Sequence, residues 1–66
     1  MEFFDYESVA RKAAIPAHKL DALRKVIREE FPNDEMLFEL HLLRACMAIQ
    51  DGYITIDEAI RSEKAA

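Results

Sequence analysis

Few side chains here can do chemistry: one cysteine, Cys46, two histidines, His18 and His41, and 13 carboxylates. A thiol acts as a nucleophile only with a base beside it. Cys46 lies in the apolar run 36–49 (MLFELHLLRACMAI), where a small buried hydrophobe is its ordinary role. A structural zinc site wants four converging Cys or His ligands, and the chain has three such residues in all. His18 and His41 fall on different helices, and His41 lies far around the third helix from Cys46. Glu29–Glu30 and Asp57–Glu58 are adjacent in sequence, so their side chains diverge on a helix. Neither pair serves acid–base work without a group supplied from elsewhere in the fold. No glycine-rich phosphate loop and no Ser–His–Asp order occur. The sequence therefore predicts no enzyme, no metal site and no cofactor.

The segment carrying His41 and Cys46 is apolar on two opposite faces. Turning each residue by about 100° puts Met36, Leu40, Leu43 and Met47 on one side and Phe38, Leu42, Ala45 and Ile49 on the other. A surface helix needs one apolar stripe, and a helix with two must be covered from two directions. A chain of 66 residues buries only about 60% of the surface its unfolded form exposes, and domains of this size are commonly supplemented by disulfides, metals or oligomerisation. One cysteine excludes an internal disulfide, which leaves association. The sequence thus predicts a protein-interaction module that self-associates or docks on a larger partner. We expect the contact at Phe38, Leu42, Ala45 and Ile49, where the small Ala45 lets a neighbouring backbone approach. Exchanged faces are the other arrangement.

Composition narrows the class further. Hydrophobic residues make up 52% of the chain, with one Gly and two Pro, which excludes disorder. No apolar run reaches the length of a membrane span. The start, MEFFDYE, is acidic and aromatic, unlike a secretory signal. A single cysteine and no targeting signal predict a cytoplasmic setting. The net charge is −4. Residues 1–31 balance six basic against six acidic side chains, and residues 32–66 carry three against seven. Acidic balance weighs against nucleic acid, since phosphate binding begins with cationic surface, although the first half is neutral.

Four helices must position these residues. Asp5 caps the first, with Phe4 and Val9 placed for a hydrophobic staple, and that helix runs to about Ala14. Pro16 suits the first position of a second helix reaching Phe31, with Leu20, Leu23, Val26, Ile27 and Phe31 on its inner stripe. Pro32 ends it, and Asn33 or Asp34 caps the third helix, which stops at Asp51–Gly52. Thr55 with Glu58 forms a capping box for a short fourth helix faced by Ile56, Ala59 and Ile60. The expected architecture is a single all-α domain over 1–66, with three helices, a short C-terminal fourth and a central third helix.

Two local resemblances bear on function. Asp51 to Glu58 (DGYITIDE) resembles the closing half of an EF-hand calcium loop, with Gly at the turn and Glu at the end. Met47 and Ile49 stand where the first half needs oxygen ligands, so too few remain for calcium. Residues 6–25 (YESVARKAAIPAHKLDALRK) resemble the helix-turn-helix of repressor-type DNA-binding proteins, with Val9, Ala10, Ala13, Ile15, Leu20 and Leu23 at its inner positions. Ala14 stands where the turn usually carries Gly, and Pro16, Ala17 and Ala22 would offer nothing to base edges. That resemblance implies an alternative function as a small DNA-binding regulator. In it His18 and Lys19 would reach a groove, while Arg24, Lys25 and Arg28 would meet phosphates.

Overall fold

Three of the four helices begin at a side-chain cap that is legible in the sequence. In the computed structural model, which describes residues 3–65, α1 spans Tyr6–Lys12, α2 Ala17–Glu30, α3 Glu35–Gln50 and α4 Ile56–Ala65. Asp5 Oδ1 accepts the Ser8 N–H at 3.2 Å, and Asp34 Oδ1 accepts the Leu37 N–H at 3.0 Å. Thr55 and Glu58 form the reciprocal box, each accepting the other's backbone N–H, at 3.0 and 3.1 Å. Pro16 sits one position earlier than expected. Its ψ of 142° is extended, so it caps α2 rather than opening it, and its carbonyl accepts the Leu20 N–H at 2.9 Å. Phe31 is likewise the cap that follows α2, with φ −129°, because Pro32 pushes the residue before it out of the helical region.

The ends of α1 and α3 share one hydrogen-bond pattern. After α3, the Gly52 N–H donates to the Ile49 carbonyl at 3.1 Å and the Tyr53 N–H to the Ala48 carbonyl at 2.9 Å. After α1, the Ala14 N–H donates to Arg11 and the Ile15 N–H to Ala10, both at 3.0 Å. Both are Schellman motifs, whose C′ residue takes the left-handed conformation. Gly52 does so at φ 82°, and Ala14 does so at φ 57° despite its Cβ. That turn ends α1 at Lys12, short of the expected Ala14.

The core gathers Tyr6 from α1, Leu23 and Ile27 from α2, Phe38 and Leu42 from α3, and Ala59 from α4. Leu20, Phe31, Leu43, Ala45, Ile49, Ile54, Ile56 and Ile60 pack around it. Helices α1 and α2 both lie on α3, and α4 lies on α2. The fourth helix therefore does not cover the back of α3; it backs α2, where Lys19 Nζ and Asp57 Oδ1 pair at 3.0 Å. No helix of the described residues is long and apolar enough to cross a membrane.

Ala14 and Gly52 make a matched test. An L-residue in the left-handed region costs about 1–2 kcal/mol, partly offset by the larger entropy glycine loses on folding. Ala14→Gly is expected to stabilise the fold by about 0.5–1 kcal/mol. Nothing lies within 4 Å of a Cβ built on Gly52, so Gly52→Ala carries only the conformational cost and is expected to destabilise by about the same amount. Urea midpoints of the two variants, moving in opposite directions, check both.

Candidate functional site

The two faces of α3 have different fates. Phe38 and Leu42 are 2% and 0% exposed, and Ala45 and Ile49 are half-buried against the same cluster. Tyr6, Leu23 and Ile27 fill the space around them, so the face expected to meet a partner is closed within the chain. The opposite face carries the exposure: Met36 is 49% and Met47 46% accessible, with Leu40 and Leu43 half-buried between them, and Leu37, about a quarter-turn round the helix, is 41% accessible. The reason is physical. By periodicity alone the faces are nearly equivalent, and only the helices laid against α3 choose between them.

The choice is reinforced by one buried acid. Glu39 is buried, and its Oε1 accepts the backbone N–H groups of Phe3 at 2.7 Å and Phe4 at 2.9 Å. The Phe4 N–H is the main cause holding this carboxyl below its ordinary value, and it outweighs the burial that pushes upward. The segment leading into α1 is thereby fastened to the flank of α3. Cys46 lies on that helix too, fully buried, and burial pushes its thiol up to about 11. It packs as a hydrophobe and does not act as a thiolate.

The cations of the DNA-binding alternative are mostly committed within the fold. Arg28 Nη2 meets Glu35 Oε1 at 2.9 Å, and its guanidinium lies 3.5 Å from the centre of the Phe38 ring. Arg24 meets Asp21 at 3.5 Å and stands 5.9 Å from the Tyr6 ring centre. Lys19 is paired with Asp57. His18 and Lys25 are exposed. An open groove of about 670 Å³ is lined by Arg24, Lys25 and Arg28 but also by Asp21, Glu29 and Phe38, and not by His18. Its charge is mixed rather than cationic.

A third feature has no counterpart in the sequence reading. Glu30 at the end of α2, His41 in α3 and Glu63 in α4 converge. His41 Nε2 stands 2.9 Å from Glu63 Oε1 and 4.0 Å from Glu30 Oε2. Phe31 lies against the imidazole, with ring centres 5.4 Å apart. A hydrogen bond to Glu63 is the chief cause raising the Glu30 carboxyl above its ordinary value, helped by burial and by the charge of Glu63. Burial acts to raise Glu63, but hydrogen bonds from Glu30 and His41 outweigh it and leave that carboxyl lowered. The two carboxyls thus shift in opposite directions, Glu30 upward and Glu63 downward, through the contact between them. No local spacing announces this cluster, because each residue comes from a different helix.

Compared with protein-family models, with curated proteins and with solved structures, the chain matches none of them.

Because folding lowers the Glu39 carboxyl, it favours the ionised form. That contribution is complete above the unfolded value near 4.5 and is lost as pH falls through the lower folded value. Wild-type stability is expected to drop on acidification below that point. Glu39→Gln is expected to cost about 1–3 kcal/mol at neutral pH, as a buried donor loses its charged acceptor, and to flatten the acid limb. Urea unfolding across pH 3–7 measures both effects.

Proposed function

We propose that this chain is a helical interaction module that self-associates through the outer face of α3. One observation carries the reading: Met36, Leu37 and Met47, three of the large exposed hydrophobics, lie along one helix. The stripe Met36, Leu40, Leu43, Met47 advances by four, three and four residues, the spacing of a two-helix seam. It also reads the same from both ends. In an antiparallel pair related by a two-fold axis, Met36 of one copy meets Met47 of the other, and Leu40 meets Leu43. A self-complementary patch is what a symmetric dimer requires, and methionine adapts readily to such a contact. The function rests on binding rather than catalysis. With Cys46 as its single thiol, the chain suits a reducing, cytoplasmic setting.

DNA binding draws less support. Ala14 adopts the left-handed turn that a helix-turn-helix uses, but Lys19, Arg24 and Arg28 already face carboxylates.

Light scattering on a size-exclusion column, over a dilution series, tests the proposal. A dimer is expected at low micromolar concentration. Burying a methionine contributes about 1.5–3 kcal/mol, so Met36→Glu with Met47→Glu should weaken association about a hundredfold or more while leaving the helical circular dichroism intact. Leu42→Asp should instead unfold the chain. A monomer at all concentrations would remove self-association.

A further inference from the structure

We propose that Glu30, His41 and Glu63 form a binding site for a divalent transition-metal cation of the zinc type. These are the only described residues whose His, Cys or carboxylate ligand atoms gather in a group of three, all within 4.8 Å of one another. The donor set is one imidazole nitrogen and two carboxylate oxygens, hard enough for a divalent ion and nitrogenous enough to favour zinc, nickel or copper over calcium or magnesium. Ligand atoms about 2.0–2.1 Å from a tetrahedral zinc stand about 3.3 Å apart. The distances from His41 Nε2, 2.9 Å to Glu63 and 4.0 Å to Glu30, bracket that separation, so small rotations of two glutamates complete the shell. Three protein ligands leave a fourth position for water.

Two further facts favour a cation there. Both carboxylates face the imidazole with no Lys or Arg ion-paired to either among the described residues, so a cation bound there meets negative charge that the fold leaves uncompensated. Phe31 packs against the imidazole, with ring centres 5.4 Å apart, a contact that restricts the rotation of the ring. Because the ligands come from α2, α3 and α4, the ion would tie three helices together and bind the folded chain in preference to the unfolded one. This inference is independent of the α3 seam, since no ligand belongs to the stripe of Met36, Leu40, Leu43 and Met47.

Titration calorimetry with zinc chloride in a non-coordinating buffer, on the full chain, tests it. One ion per chain is expected, with a thermal midpoint that rises as free zinc increases. Glu63→Gln and His41→Gln should abolish the heat and the shift. Glu30→Gln, at an exposed position, should keep the fold and weaken binding about tenfold or more. His18→Gln should bind as wild type. No uptake at about a hundred micromolar free zinc, which corresponds to less than about 5–6 kcal/mol of binding, would overturn the site. Wild-type binding by folded Glu30→Gln and His41→Gln variants would overturn it equally.

Discussion

A single buried carboxylate decides how the rest of the chain can lie on its central helix. Glu39 accepts two backbone N–H groups from the segment leading into α1, and a buried acid without such partners would be costly. That bond joins residues 35 and 36 positions apart and sets α1 along one flank of α3. The next flank then goes to α2, through Leu23 and Ile27 against Phe38 and Leu42. Of the described helices only α4 is left, and α4 packs on α2. The remaining arc of α3, with Met36, Leu37 and Met47, stays open to solvent.

The turns show how the same geometry is reached with unequal ease. Both Schellman motifs reverse the chain sharply, and both need one left-handed residue. At Gly52 the conformation is cheap. At Ala14 it is strained, so the α1–α2 connection is held by what surrounds it: the Glu39 anchor on one side and the packing of α2 on the other. Local strain of this kind persists only where the tertiary structure over-determines it.

Electrostatics follow the same packing. On α2, cations are spent on neighbouring carboxylates and aromatic rings, with Arg28 spanning from Glu35 to the Phe38 ring. Two residues further along α2, at Glu30, the balance reverses. Docking α4 on α2 carries Glu63 to His41 and Glu30, and there two acids face one imidazole with no Lys or Arg ion-paired to either acid among the described residues. The first region is electrically closed, while the second has capacity for a positive ion.

The sequence by itself determined the four helices and almost all their ends, because caps are local. Asp5, Asp34, Thr55 with Glu58, and Gly52 act within a few residues of themselves, so their types suffice. The shifts at Pro16, Phe31 and Ala14 are one or two residues wide and come from backbone angles that residue types only bias. The burial of Cys46 was legible for the same reason, as it sits amid apolar neighbours on one helix. Which face of α3 closes was not legible, since both have the same period and nearly the same hydrophobicity. Nor was the meeting of Glu30, His41 and Glu63, whose positions mean nothing until α4 chooses α2 as its neighbour. Local hydrogen bonding wrote the helices into the sequence; the helix partners, and with them the open face and the three-helix cluster, were decided by long-range packing.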